Sequence, residues 1–192
     1  MGAIEEPPVM RRHRISTEDY HRMGAAGVFA PDARVELIDG EVIDIAPRGT
    51  RHWAAVTRID HLLRPCIGDR ALVAVQTSIR LGRHSEPQPD IALVKPRDDF
   101  YSKALPTAAD TLLVIEVADT TARYDREIKL SLYARHGIGE LWIVDLEANL
   151  LRLYSAPSGE GYSQSREIAQ PGITAIAALP GATIDLGRLF DA

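Results

Sequence analysis

The 192-residue chain has one cysteine, three lysines and no long hydrophobic run, and each shortage excludes a class of protein. With Cys66 alone, no internal disulfide is possible, which is typical of a reducing compartment. A lone cysteine is more often a small buried side chain than a nucleophile. No apolar run approaches the ~20 residues of a membrane helix, and nothing near the N-terminus predicts a signal peptide. We therefore expect a cytoplasmic protein with no membrane partner.

Positive charge is also scarce, because 22 lysines and arginines stand against 27 aspartates and glutamates, for a net charge of −5. This balance disfavours a strongly basic nucleic-acid binder but is compatible with a local basic groove. Because arginine is the usual cation in this chain, a lysine is less likely to be an incidental surface charge. The three lysines are Lys95, Lys103 and Lys129. The apolar content of 45% and charged content of 26% are ordinary for a soluble globular domain.

The chain divides into a predicted flexible arm at residues 1–15, rich in proline and charge, and a single domain at 16–192. Ser16 begins a predicted helix, and Asp39-Gly40 between two apolar runs predicts a β-hairpin. Two further helices are predicted, one from 51 to 64 with Thr50 as its cap and Pro65 at its end, the other from 125 to 136. Strands are predicted at 71–81, 90–94, 112–118, 141–145 and 150–155. This order predicts an α/β (α+β) fold with a central mixed sheet and flanking helices.

Two carboxylates lie in apolar strands, where acids are uncommon. Glu116 stands between Ile115 and Val117, and a buried carboxylate is normally paired, protonated or bound to a metal. An arginine partner or a strand end that reaches water explains Glu116 equally well. Asp90 opens another apolar strand, although alone such a residue is more often a turn residue or a cap. If the two strands are neighbours, the two acids can share one Mg²⁺.

Five other side chains are candidates for the same site. Lys129 lies on a predicted helix with Tyr133 one turn later, and a lysine there can orient a nucleophile, although a solvated lysine is the commoner case. Glu36 and Glu41 share one mainly apolar hairpin face because opposed residues share a face. A half-exposed sheet edge is an equally good explanation of that face. His52 begins a helix, where a structural or exposed role is more common. The sequence has no zinc-ligand spacing, Gly-rich phosphate loop or GxSxG elbow.

Several segments that occur in order resemble the Uma-type family of restriction-endonuclease-like proteins, a bacterial domain family within the PD-(D/E)xK nuclease superfamily. The resemblance covers about residues 16–190, and it depends on the ordered set of segments because no single motif is specific. The segments are VELIDGEV at 35–42, PDIALV at 89–94, LVIEVA at 113–118, YDREIKLSLY at 124–133 and ARHGIGELWIVD at 134–145.

The resemblance implies a four-stranded mixed core sheet with helices on both sides, here with extra strands, and Mg²⁺-dependent phosphodiester hydrolysis. It implies that Asp90 is the acid of the PD half-motif and Glu116 the acid of the (D/E)xK half-motif. The lysine expected two residues after Glu116 is replaced by Ala118. Members of the family place the lysine on the following helix, which Lys129 matches, and Glu36 matches the upstream acid. Weaker matches are Tyr133 and His52.

Our leading hypothesis is an endodeoxyribonuclease, a hydrolase of ester bonds, with DNA as its substrate and a homodimer as its assembly. In this hypothesis Asp90, Glu116 and Glu36 hold Mg²⁺, with Mn²⁺ as a substitute, and Lys129 positions the attacking water. Glu41, His52 and Tyr133 are auxiliary candidates. One alternative is a catalytically inactive module that keeps the nuclease fold and binds nucleic acid or protein. Another is a metal hydrolase of nucleotides or other small phosphoesters.

Overall fold

A computed structural model describes residues 12–45, 47–118 and 122–191, with residues 122–127 described by their backbone alone. Most of the predicted N-terminal arm therefore lies outside the described residues. Its last residues contact the domain, because the Ile15 amide donates to the Gly40 carbonyl at 3.0 Å. The Ile15 carbonyl lies 2.9 Å from His84 Nδ1. This end of the arm is thus attached to the β-hairpin.

In the described ranges the domain has three α-helices and ten strands, with short 3₁₀ turns at Gly68–Arg70 and Ala108–Asp110. The helices are α1 (Thr17–Ala25), α2 (Thr50–Ile67) and α3 (Ala122–Arg135). The strands are β1 (Val35–Ile38), β2 (Glu41–Asp44), β3 (Leu72–Val75), β4 (Ile91–Val94), β5 (Thr111–Ala118), β6 (Glu140–Asp145), β7 (Leu150–Ser158), β8 (Gly161–Ile168), β9 (Ile173–Ala175) and β10 (Thr183–Asp185). No helix in the described ranges is long and apolar enough to cross a membrane.

The central sheet has six strands in the order β3-β4-β5-β6-β7-β8. The β5–β6 pair is parallel, and all the other neighbours in this sheet are antiparallel. A parallel pair needs a crossover connection, which α3 provides between β5 and β6. The predicted mixed sheet with flanking helices is confirmed. Two small antiparallel sheets, β1–β2 and β9–β10, lie outside it.

The two faces of the central sheet bury separate apolar cores. Ile115 and Val117 of β5 belong to the core that contains α2 and β10. Val114 belongs to the second core, which contains Leu132 and Tyr133 of α3. Because side chains alternate along a strand, Glu116 projects to the same face as Val114. This alternation directs a carboxylate toward α3.

The β1–β2 hairpin closes with the two-residue turn that the sequence predicts. Asp39 and Gly40 have φ angles of 53° and 81°, as a type I′ turn requires. At Gly40 a Cβ atom would lie 2.6 Å from the Cβ of Arg14. Glycine is therefore required both by the turn and by the close approach of the arm.

Helix α2 departs from the prediction at both ends. Gly49, not Thr50, is the N-cap residue, and no side-chain hydrogen bond caps the helix. The helix also continues through Pro65 to Ile67, although proline removes one backbone hydrogen-bond donor, because Ile67 is buried in the core. Gly68, with φ at 54°, ends the helix instead.

One predicted strand is too long, and one long strand was missed. The strand predicted at 71–81 is confined to β3, because Gln76 has a positive φ of 50° and turns the chain out of the sheet. Strand β8 was not predicted, because its mostly exposed and polar residues show no apolar alternation. A polar edge strand carries little of the hydrophobic signal by which strands are recognised.

Candidate active site

The two predicted strand acids face each other across β4 and β5. These strands are antiparallel neighbours, with Ile91 opposite Ile115, so that Asp90 lies opposite Glu116. Asp90 is only 2% exposed. Its Oδ2 accepts a hydrogen bond from the backbone amide of Val117 at 2.9 Å. The condition on which a shared cation site depended, neighbouring strands, is therefore met.

A second group of residues, here called the lysine cluster, consists of Glu36, Glu116, Lys129 and Tyr133. Lys129 Nζ lies 3.3 Å from Glu116 Oε1 and 3.2 Å from Glu36 Oε2. The Tyr133 hydroxyl donates to Glu116 Oε1 at 2.6 Å. The lysine and the tyrosine are one turn apart on α3 and both reach the same carboxylate. The predicted approach of Lys129 from the helix is present in the structure.

Glu36 enters this cluster from the hairpin. It is buried, at 5% exposure, and faces Ile43 across the hairpin as predicted. Its Oε2 also accepts from the backbone amide of Gln88 at 3.0 Å. Glu41, predicted on the same face, has a side chain that is 60% exposed and pairs with Arg12. The hairpin therefore delivers Glu36 to the site and leaves Glu41 in solvent.

The charges of the lysine cluster depend on one another. Burial raises the pKa of Glu116 to about 7, and the charges of Asp90 and Glu36 add to the rise, while Lys129 and the Tyr133 hydroxyl oppose it. Burial lowers the pKa of Lys129, but Glu116 and Glu36 outweigh it and the net pKa is raised. Burial and then the charge of Glu116 raise the pKa of Tyr133 well above its ordinary value. At neutral pH the ammonium is charged, and Glu116 is poised between its two protonation states.

A third group, here called the aspartate cluster, consists of Arg48, His52 and Asp90. His52 Nε2 lies 3.0 Å from Asp90 Oδ2, and since a carboxylate only accepts, the ring proton on Nε2 donates to it. Arg48 Nη2 lies 2.8 Å from Asp90 Oδ1. His52, a weak match from sequence, is thus in direct contact with the central acid because the first turn of α2 lies over the start of β4.

Sequence analysis did not identify Arg48, Gln88 or Val117 as parts of the site. Arg48 lies in the connection between the hairpin and α2, with no motif around it. The only signal was physical, since a buried Asp90 requires a partner. Gln88 and Val117 contribute backbone amides, which any residue carries and no sequence pattern reveals.

The carboxylates of the site provide oxygen ligands of the kind that a divalent cation binds. Within the described ranges, no group of three or more His, Cys, Asp and Glu side chains is placed to hold one metal ion. Mg²⁺ typically requires only one or two carboxylates and keeps several waters. Asp90 Oδ1 is buried and makes no hydrogen bond of normal geometry, despite its ion pair with Arg48. Two carboxylates at opposed positions of the β4–β5 pair, one of them with an oxygen that lacks a hydrogen bond, fit a hard cation. The predicted metal site with three acids, Asp90, Glu116 and Glu36, stays a prediction.

Comparisons with known proteins agree with this fold. Residues 17–187 match the model of the Uma2 family, described as "Putative restriction endonuclease". The crystal structure of a "putative nuclease belonging to DUF820" from Anabaena variabilis ATCC 29413 superposes with a TM-score of 0.70 at 15% identity. The alignment covers 92% of this chain and 97% of that chain, and at this identity it shows a shared fold. No curated protein matches the sequence.

Proposed function

The chain belongs to the Uma2 family, and from this premise we propose that it is a metal-dependent endonuclease that hydrolyses DNA phosphodiester bonds. The observation that carries the proposal is the convergence of four predicted site residues. Glu36, Asp90, Glu116 and Lys129 come from the hairpin, the start of β4, β5 and α3; the first two are buried, and the side chains of the last two are 14% and 12% exposed. Perturbed titratable groups gathered in this way are typical of functional sites.

Asp90 and Glu116 would hold Mg²⁺, with Glu36 assisting and Mn²⁺ as a substitute. When bound, the cation would activate a water molecule and neutralise charge on the phosphate. The chain prepares the two carboxylates for this role. The Val117 amide and His52 fix the Asp90 carboxylate, and the Tyr133 hydroxyl fixes that of Glu116.

Lys129 would position the attacking water. Its ammonium has three N–H donors, and among the described residues it contacts two carboxylate oxygens, of Glu36 and Glu116. A third donor is therefore available for a water molecule or a phosphate oxygen. Because its pKa is raised, the group stays charged through the neutral range and donates throughout.

A plasmid cleavage assay with Mg²⁺ and with EDTA tests the proposal. We expect Asp90→Asn and Glu116→Gln to abolish Mg²⁺-dependent cleavage while circular dichroism shows an intact fold. Glu41→Gln is the matched control, because it removes the same type of charge from an exposed position of the hairpin. Cleavage by either site variant at the wild-type rate would eliminate these residues as the catalytic acids.

A second candidate function, a non-catalytic module that binds nucleic acid, is favoured by one observation. Asp90 is already paired with Arg48, and Lys129 lies between Glu36 and Glu116. Such pairing stabilises the acids without any metal. DNA or RNA binding with no cleavage in Mg²⁺ or Mn²⁺ would support this module, whereas nucleotide turnover without polymer cleavage would support a small-phosphoester hydrolase.

We further propose a homodimer, since cutting both strands of a duplex generally requires two active sites. Two-fold dimers are the commonest soluble oligomers. Sedimentation of the protein with and without a duplex oligonucleotide measures the assembly. A dimer that makes linear plasmid without accumulating nicked circles is the expected result, and a monomer under both conditions would contradict it.

A further inference from the structure

The guanidinium of Arg48 is only partly used by the protein. Its side chain is 13% exposed, and Nη2 lies 2.8 Å from Asp90 Oδ1. Within the part of the chain that the structure describes, Nη1 is buried without a hydrogen-bond partner. A buried N–H without an acceptor is costly, and arginine carries five donors in a rigid fork. A ligand that accepts hydrogen bonds would satisfy this unused donor.

A structural arginine elsewhere in the protein shows the contrast. The Arg152 side chain is 14% exposed, almost the same as Arg48. Its Nη1 donates to Asp145 at 2.6 Å and its Nε donates to Glu167 at 2.8 Å. Both contacts are hydrogen bonds of normal geometry, whereas the contact of Arg48 with Asp90 is an ion pair without one. At equal burial, Arg152 is satisfied by its neighbours and Arg48 is not.

A second arginine, Arg34, interacts electrostatically with Arg48 and with Asp90. Burial lowers the pKa of Arg34, and Arg48 lowers it further while Asp90 opposes, so both guanidinium groups interact with the same acid. The first turn of α2, which begins two residues after Arg48, contains no acidic residue. A second guanidinium therefore interacts electrostatically with Asp90, while the ion pair with Asp90 is made by Arg48.

We propose that Arg48 forms a phosphate-binding subsite next to Asp90 that takes a phosphodiester group of a nucleic-acid strand. The planar fork of arginine matches two phosphate oxygens, and such charge-assisted bonds are stronger than neutral ones. The choice of a strand, as opposed to a small phosphate ligand, rests on the proposed nuclease function. The subsite itself rests on the unused Nη1 of Arg48 and on the contact of Nη2 with Asp90.

The first test measures binding without metal, by fluorescence anisotropy of a labelled oligonucleotide in EDTA over a range of salt concentrations. We expect Arg48→Gln to weaken binding about tenfold and to reduce the slope of log K against log salt by about one. Arg70→Gln is the control, because it removes the same charge just beyond the opposite end of α2, where the hydrogen bonds of Arg70 to the described residues go to backbone carbonyls. Equal slopes and affinities for Arg48→Gln and wild type would overturn the subsite.

The second test avoids any loss of fold caused by an unpaired Asp90. Asp90→Asn frees Arg48 from its ion pair, so we expect metal-free binding to strengthen several-fold. The double variant Asp90→Asn with Arg48→Gln should lose this gain. Glu116→Gln removes the same charge from the neighbouring strand without freeing Arg48 and should strengthen binding less. Equal gains in Asp90→Asn and Glu116→Gln, or a gain that survives in the double variant, would contradict the proposal.

Competition and cleavage separate this proposal from the function on which it rests. An unlabelled oligonucleotide should displace the probe at a far lower phosphate concentration than inorganic phosphate does. Equal competition by inorganic phosphate would overturn the assignment to a strand. If Arg48→Gln weakens binding but the wild-type protein never cleaves, the nuclease function is refuted and the subsite is kept. If the wild-type protein cleaves and Arg48→Gln binds as tightly as wild type, the subsite is refuted and the nuclease function is kept.

Discussion

The lysine cluster and the aspartate cluster lie side by side, but they differ in how completely their polar groups are satisfied. In the lysine cluster, Lys129 contacts two acids, and Glu116 also accepts from Tyr133. In the aspartate cluster, Arg48 Nη1, His52 Nδ1 and Asp90 Oδ1 are buried without a hydrogen-bond partner in the described structure. The first cluster is held together by its own contacts. The second has polar atoms that a ligand could still bind.

The two clusters also belong to different layers of the fold. The lysine cluster is built from the hairpin, β5 and α3 on one face of the sheet. His52 comes from α2, which packs against the other face. Asp90 joins them, because it precedes β4 and faces Glu116 across the strands. Changes of Asp90 or Glu116 should therefore affect metal binding directly, whereas a change of Lys129 should lower the cleavage rate and keep metal binding.

The largest effect is expected for the acids that join the clusters. Loss of an outer partner of a metal ligand typically costs 10–100-fold in affinity, so Asp90→Ala or Glu116→Ala should weaken Mg²⁺ binding by more than about 100-fold. Glu36→Gln should cost less if Glu36 only assists. Isothermal titration calorimetry measures these affinities. A Glu36 effect larger than that of either strand acid would reverse the proposed roles.

Removing the ammonium of the lysine cluster should separate rate from binding. Lys129→Ala should lower the cleavage rate about 100-fold and keep Mg²⁺ binding. It leaves two buried acids uncompensated, so the free energy of unfolding without metal should fall by about 3 kcal/mol. Lys95→Ala and Lys103→Ala, at exposed positions, serve as controls in urea denaturation and cleavage assays. Loss of metal binding in Lys129→Ala would show a structural role instead.

His52 should have a smaller effect, confined to the aspartate cluster. His52→Ala removes the donor that orients Asp90 Oδ2 but leaves the Val117 amide in place. We expect about a tenfold loss of Mg²⁺ affinity, with the pH dependence set by Glu116 unchanged. Calorimetry at several pH values checks both points. Wild-type affinity in this variant would show that the histidine only fills space.

The smallest effect concerns the pH dependence of the lysine cluster. Glu116, with a pKa of about 7, must lose its proton to hold a cation, so Mg²⁺ affinity should rise as the pH increases through that value. The Tyr133 hydroxyl favours the charged carboxylate, and Tyr133→Phe should therefore move the midpoint upward by up to about one pH unit. A downward shift, or none, would mean that the hydroxyl does not control Glu116.

Much of the lysine cluster was predictable from sequence because its signals are local. Asp39-Gly40 determines the hairpin register, which places Glu36 opposite Ile43. Apolar neighbours mark Glu116 as a strand acid, and helical spacing places Lys129 and Tyr133 on one face. The family resemblance supplied their expected roles and their relation to Asp90. Those roles stay predictions until the variants above are measured.

The aspartate cluster was less predictable because its contacts depend on how distant elements pack. His52 reaches Asp90 only because the first turn of α2 lies close to the residue that precedes β4, and Arg48 lies in a connection without a regular pattern. Helix α2 itself extended past Pro65, where burial of Ile67 outweighed the local signal to stop. Tertiary packing decides such features, and it has no signature in a single sequence.

The most direct test of the proposed function is a crystal structure of the protein soaked with Mn²⁺, with the metal located by its anomalous signal. The proposal predicts one Mn²⁺ bound by the carboxylates of Asp90 and Glu116, with Lys129 Nζ facing the same site and Arg48 no longer the main partner of Asp90 Oδ1. Mn²⁺ bound elsewhere, with Arg48 still on Asp90 and Lys129 still between Glu36 and Glu116, would contradict it.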